Sequence, residues 1–368
     1  NVQGFGIIPH FSYGEGAQRI AELEAMYGLN PAPEKIAGVA VLTTPHFAPQ
    51  GGMDSWKFFT LAFCMMAGTA ALPHILMRYF TTPSVRSARK SVAWSLWFIF
   101  LLYFTAPVLA TLTKLQLLDP DLPTSIIGKP FAEVAALEWV KNWSEVGYLA
   151  IRDFNNDGIL QLNEFFMRAD IVVLATPEIA GLPYVISGLV AAGGMAAAMS
   201  TADGLLLAIA NALSHDMYYK IIDPSADTRK RLIVARVILV FIGVAAALIA
   251  SLQLTGILGA VAWAFCFACS GLFFPLALGI WWKRANGPGA IAGMLAGFIC
   301  GSWYLYHVYN GGTPWFGIDH IRFGMIGMPA SLIAMVVVTL LTPAPSKEVQ
   351  DMVDEVRVPG GGTIISAH

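Results

Sequence analysis

The sequence predicts an all-α polytopic membrane protein with seven transmembrane helices. Three observations carry the prediction. Hydrophobic residues make up 56% of the 368 positions and charged residues only 12%, about half the charged share of an ordinary globular domain. Mean hydropathy is +0.63. The apolar residues also gather into stretches of the length a helix needs to cross a bilayer, about 20 residues. A soluble fold with this little charge could not cover its surface. The net charge of −2 gives no pull toward nucleic acid, so the lipid bilayer is the expected partner.

The elements follow in order. The opening, Asn1 to Gly16, has neither a basic n-region nor an apolar h-region, so it does not read as a signal peptide. Residues 1–55 are expected as an outer segment. The apolar stretches run over 56–78, 91–113, 184–214, 231–252, 255–282, 288–309 and 321–342. The third continues through Ala208-Ile209-Ala210-Asn211-Ala212 and is expected as one tilted helix. Spans one and two thus fill 56–113, and spans three to seven fill 184–342.

Basic residues set the orientation. Arg78, Arg86, Arg89 and Lys90 follow span one, and Lys220, Arg229, Lys230 and Arg231 follow span three. Lys283 and Arg284 follow span five, beside the interfacial anchors Trp281 and Trp282. Basic loops stay on the cytoplasmic side. The expectation is a multi-pass protein of the cell (inner) membrane. Residues 114–183 then lie outside, and the tail 343–368 lies in the cytoplasm, loosely attached from Ser346. A leading segment reaching Ser55 would have to cross without a signal sequence, and the span count is odd with the start outside. An N-terminal half of the same protein, upstream of Asn1, would resolve both and is expected as a partner.

Within 114–183 lies Asp153-Phe154-Asn155-Asn156-Asp157-Gly158-Ile159-Leu160-Gln161-Leu162-Asn163-Glu164. It fits the EF-hand pattern D-x-[DN]-x-[DN]-G-x5-E at every fixed position. Asp153, Asn155 and Asp157 would offer side-chain oxygens, Ile159 its carbonyl, and Glu164 two oxygens to calcium. Gly158 permits the sharp turn, and Leu160 would pack against flanking helices. The other reading is an Asp/Asn-rich turn without an ion. Cys266 and Cys269 form a CxxC inside an apolar helix, and with Cys64 and Cys300 they imply no disulfide framework.

Polar groups at bilayer depth are costly and mark candidate sites. In span three, Ser200 and Thr201 give adjacent hydroxyls, and the carbonyl of Ala197 lies one turn earlier on the same face. Asp203 shares that face with Ser200 and could carry the compensating charge for a small hard cation. Helix packing with back-bonded hydroxyls is the competing reading. In span one, Gly68-Thr69-Ala70-Ala71-Leu72-Pro73-His74 should break or kink the helix, because Pro73 cannot donate to the Thr69 carbonyl. Such breaks are tolerated where backbone lines a cavity. A simple proline kink, with His74 a satisfied polar residue, is the alternative. Trp263, Phe265, Phe267, Phe273 and Phe274 are expected to pack.

Gly68–Thr81, Ala88-Arg89-Lys90-Ser91, Ser200–Leu207, Ala212–Tyr218, Ala264–Ala268 and Phe274-Pro275 together resemble the sodium/solute symporter family, in its acetate-permease-like, monocarboxylate branch. The resemblance implies a ten-helix inverted-repeat (LeuT-like) core, of which this chain would supply the second half. It implies cation-driven import of a small organic solute by alternating access, with sodium as the coupling ion. Span one resembles the broken sixth core helix and span three the eighth. The family's sodium ligands on that eighth helix match Ala197 (carbonyl), Ser200 and Thr201. The path through the membrane would run past Gly68, Thr69, Pro73 and His74. The remaining ligands would belong to the N-terminal half. A transporter-like sensor or a partner subunit is the alternative, and no enzyme is expected, since no nucleophile, base and orienting group cluster.

Overall fold

The computed structural model describes residues 9–27, 46 and 53–355. In chain order its helices are α1 (Tyr13–Met26), α2 (Ser55–Ala71), α3 (Pro73–Leu76), α4 (Val85–Leu118), α5 (Phe131–Ala136), α6 (Glu138–Glu145), α7 (Val172–Ile179), α8 (Tyr184–Asn211), α9 (Thr228–Ser251), α10 (Ile257–Ala268), α11 (Phe274–Trp281), α12 (Gly287–Tyr309), α13 (Gly324–Leu341) and α14 (Lys347–Glu355). A two-stranded antiparallel sheet, β1 (Leu149–Ile151) with β2 (Phe165–Met167), pairs Leu149 with Met167.

Among the described residues, six helices are long and apolar enough to cross a membrane. They are Val85–Leu118, Tyr184–Ile222, Thr228–Ser251, Ile257–Trp281, Gly287–Tyr309 and Gly324–Leu341. The pair Ser55–Ala71 and Pro73–Tyr79, bent by 45°, makes a seventh when it is counted as one span. The fold is that of an all-α polytopic membrane protein. Asp54, Ser84, Asp227 and Asn286 start α2, α4, α9 and α12, each accepting a first-turn amide on its side chain. α8 continues without interruption as a π-helical stretch, Ala212–Ile222. A second π stretch, Cys269–Phe273, joins α10 to α11. The tail departs from the loose attachment expected of it. Lys347–Glu355 is helical because its sequence is amphipathic, and Lys283 Nζ meets Asp354 at 2.5 Å. Residues 356–368 lie outside the described residues.

The chain divides into two compact units, one comprising Asn1–Met53 and Thr82–Ile209, the other Asp54–Thr81 and Ala210–His368. In the first, the residues between α4 and α8 form a folded layer rather than a loop. Ile20 and Leu23 of α1 share one core with Leu115 and Leu118 of α4, Val140 of α6 and Leu160. Arg19 Nη2 bridges Asp119 at 2.9 Å and Asp121 at 2.8 Å. Glu24, 3% exposed, pairs with Lys114 and accepts the His46 amide.

In the second unit, α12 meets α13 at backbone distance. Gly289, Gly293, Gly297 and Gly301 repeat every fourth residue on the buried face of α12. A Cβ on Gly297 would lie 1.9 Å from the Ser270 carbonyl oxygen, and one on Gly289 would lie 1.9 Å from Thr339 Oγ1. Only glycine permits this approach. α2 packs on α10 by the same device, since a Cβ on Gly68 would come within 2.5 Å of the Phe265 carbonyl oxygen.

The segment 153–164 gives the calcium expectation no support. Its flanks are β1 and β2, not helices, and Leu160 is fully buried in the core of the first unit. The loop bonds to itself. Asp153 Oδ2 accepts from Gly158 N (3.0 Å), and Asn155 Oδ1 accepts from Asp157 N (3.1 Å). Asp157 Oδ1 accepts from Ile159 N (2.8 Å), and its Oδ2 accepts from Asn155 Nδ2 and Gln161 Nε2. Glu164, 1% exposed, accepts Phe154 N on Oε1 (2.8 Å) and Gln161 N on Oε2 (3.0 Å). Gly158, at φ +74°, makes the turn. Asp153 Oδ1 alone is buried without a partner among the described residues. Both oxygens expected to grip calcium from Glu164 are thus taken by backbone amides. Among the described residues, no group of three or more His, Cys, Asp or Glu is placed to hold a metal.

Two predictions follow from the first unit. Glu164→Ala strips two buried amides of a charged acceptor and is expected to cost about 2–4 kcal/mol, read as a fall in the thermal midpoint. Calcium or a chelator should leave the unmodified protein's midpoint in place, and a clear rise with calcium would reinstate the ion. The second concerns pH. The bonded Arg19 holds the Asp119 carboxyl below its ordinary value. A lowered carboxyl stabilises the fold above its unfolded pKa and loses that contribution as pH falls through the lowered value. Amide exchange in α1 should therefore quicken below about pH 4, and Asp119→Asn should flatten that dependence.

Candidate functional site

The candidate site residues fall in two stretches, one in each unit. The first is the break between α2 and α3. Leu72 is extended, at φ −69° and ψ 118°, and Pro73 opens α3. Proline has no amide hydrogen, so the Thr69 carbonyl loses its helical partner. The helix restarts through Ile75 N and Leu76 N, which both donate to Leu72 O at 3.2 and 3.3 Å. Gly68 is buried against Phe265, whereas Thr69 is exposed and its hydroxyl donates back to Met65 O at 2.7 Å. His74 is half-buried, and its Nδ1 is sealed from solvent without a hydrogen-bond partner among the described residues. The arrangement offers a freed carbonyl and an unpaired imidazole within two turns of each other.

The second stretch is on α8. Ala197, Ser200, Thr201 and Asp203 are all exposed on it. Thr201 Oγ1 donates to the Ala197 carbonyl at 3.3 Å, the back-bond available to any threonine in a helix. The side-chain oxygens of Ser200 and Asp203 have no hydrogen bond to a described residue. Helical spacing gathers a carbonyl, two hydroxyls and a carboxylate within two turns. These are hard oxygen donors, of the kind that suits sodium rather than a soft metal.

One polar centre was missed in the sequence. Arg322 is 2% exposed and is the largest fully buried side chain among the described residues. The seventh apolar stretch, 321–342, includes this arginine, but α13 begins only at Gly324. An arginine inside an assumed apolar span is the signal that could have drawn attention to it. Of the aromatic residues assigned to packing, Trp263, Phe267, Phe273 and Phe274 do pack, around Cys64, Tyr304 and Phe323.

Comparison with known proteins places these residues in context. Residues 170–297, which include α8 and its oxygen donors, match the sodium:solute symporter family. The chain is 46% identical over 311 residues to an uncharacterized symporter of Cupriavidus necator, a match covering 82% of this chain and 44% of that protein. It is 28% identical over 244 residues to a monocarboxylic acid transporter of Corynebacterium glutamicum, covering 66% of this chain and 37% of that protein. The chain thus spans less than half the length of these curated relatives. The matched segment and these relatives together carry one conclusion: residues 170–297 of this chain are similar to the sodium:solute symporter family, and the chain around them is similar to symporters.

Proposed function

We propose that this chain is part of a sodium-coupled symporter that imports a small monocarboxylate, such as acetate, by alternating access. The observation that carries the reading is the break at Leu72–Pro73 inside a helix of membrane length, with the Thr69 carbonyl freed and His74 Nδ1 unpaired. Backbone that leaves the helix at membrane depth needs a cavity or protein around it, and transporter sites are built on such breaks. The monocarboxylic acid transporter among the relatives supports the choice of solute class.

In this reading sodium binds at the Ala197 carbonyl and the Ser200 and Thr201 hydroxyls, with Asp203 supplying negative charge nearby. The break from Gly68 to His74 lines the solute path. Solute and ion stabilise the same closed state, so the sodium gradient drives uptake. The remaining ligands come from an N-terminal half of the same protein. The basic loops orient it in the inner membrane, with 114–183 outside and 343–368 in the cytoplasm.

The test is uptake of labelled acetate by the natural full-length protein in proteoliposomes under an imposed sodium gradient. Thr201→Ala removes one ligand oxygen and should raise the sodium concentration for half-maximal uptake by about tenfold. An unchanged sodium dependence would overturn the cation site. Pro73→Ala restores the helical amide and should abolish uptake while leaving the amount of protein in the membrane intact. Full uptake in that variant would remove the break from the mechanism.

A further inference from the structure

One face of α2 is tied, turn by turn, to the connection between α12 and α13. Trp56 Nε1 donates to the Phe316 carbonyl at 3.0 Å. Thr60 Oγ1 accepts from Arg322 Nη1 at 3.4 Å. Cys64 Sγ donates to the Arg322 carbonyl at 3.7 Å. These α2 residues are spaced by four, so they stand in one row on the helix. The same connection holds α10, because Cys266 Sγ donates to the Ile321 carbonyl at 3.3 Å. It is fixed in turn to α12, where Tyr304 Oη donates to Ile318 O at 2.7 Å.

Arg322 is the centre of this arrangement. Its Nε and Nη2 fork onto Asp319 at 2.9 and 2.7 Å, and Nη2 also donates to Gly317 O at 3.1 Å. A guanidinium this buried is held by planar, paired bonds, a geometry that lysine does not reproduce. Burial along α2 then ends at the break. Thr60, Cys64, Ala67, Gly68 and Ala71 are buried, whereas every residue from Pro73 to Tyr79 is half-buried or exposed. The hydrogen-bonded row lies on α2, and beyond the break Ile75 packs on the cluster of Ala71, Leu72 and Ala268.

We propose that Arg322, held by Asp319, is a positioning residue for the solute path. It fixes α2 through Thr60 and Cys64, so that the Thr69–His74 break is presented in one place. This rests on the transport reading above. A pair that merely stabilised the bundle would change the amount of folded protein but not the affinity for solute.

The test uses the natural full-length protein in proteoliposomes, with Arg322→Gln, Arg322→Lys and Thr60→Val. Two quantities are read: KM for acetate against maximal uptake per transporter, and the rate at which a membrane-permeant maleimide labels Cys64. Arg322→Gln should raise KM by about tenfold or more and speed the labelling of Cys64. Arg322→Lys keeps the charge but loses the fork, and should fall between it and the unmodified protein. Thr60→Val removes one hydroxyl at nearly constant shape, so it decides the matter if Arg322→Gln does not fold. It should raise KM in the same direction. An unchanged KM in Thr60→Val, with uptake tracking protein amount, would overturn the proposal. So would Cys64 labelling as slow as in the unmodified protein. If the unmodified protein takes up no acetate, the transport reading fails on its own. The labelling rate then decides the anchor by itself.

Discussion

Hydrocarbon offers a backbone amide no partner except the chain itself, and this constraint governs the molecule. Nearly every residue at membrane depth answers it by remaining in a continuous helix. Three departures stand out among the described residues. Leu72–Pro73 interrupts α2, and the π stretches Ala212–Ile222 and Cys269–Phe273 widen two other helices. Each is a place where carbonyls are turned away from regular pairing. Two of the three meet candidate functional elements. The break in α2 is itself a candidate site, and the first π stretch continues the helix that carries Ala197 to Asp203. The third widening brings Ser270 O against Gly297, where only a hydrogen on the Cα leaves room.

Much of the fold was legible because hydrophobic length is a crude and strong signal. Seven apolar stretches were visible, and a proline following Gly68-Thr69 marked the one that bends. The position of Thr201 four residues after Ala197 already implied the bond that their oxygens share. Other features left weaker traces. A π-helical widening has no residue pattern that separates it from an ordinary apolar helix. Arg322 leaves a faint trace, since one charge at the edge of a long apolar run does not shorten the run. The residues between α4 and α8 looked like a loop because their apolar positions serve several short elements and no single long period.

The segment 153–164 shows how a motif can be satisfied in two ways. Oxygens at positions one, three, five and twelve can converge on an ion or can turn to the amides of their own turn. Spacing alone does not choose between these outcomes, because both need the same glycine and the same carboxylates. The neighbourhood of this loop turns its oxygens toward amides. Leu160 N donates to Lys129 O at 2.9 Å, and Gly128 N donates to Leu160 O at 2.8 Å, which draws the loop into the layer beneath it. Glu164 is then buried beside the amides of Phe154 and Gln161, and it serves those.

The glycine row on α12 has a consequence for how the chain assembles. α12 and α13 are joined by the short connection 310–323, so bringing them together costs little loop-closure entropy. The pair can zip up as a local hairpin soon after both segments enter the bilayer, before partners distant in sequence are found. Its connection carries Phe316 and Arg322, the groups to which α2 attaches. This hairpin, made after the broken helix in synthesis, is therefore a ready-made docking template, and the broken helix must wait for it to acquire its final orientation.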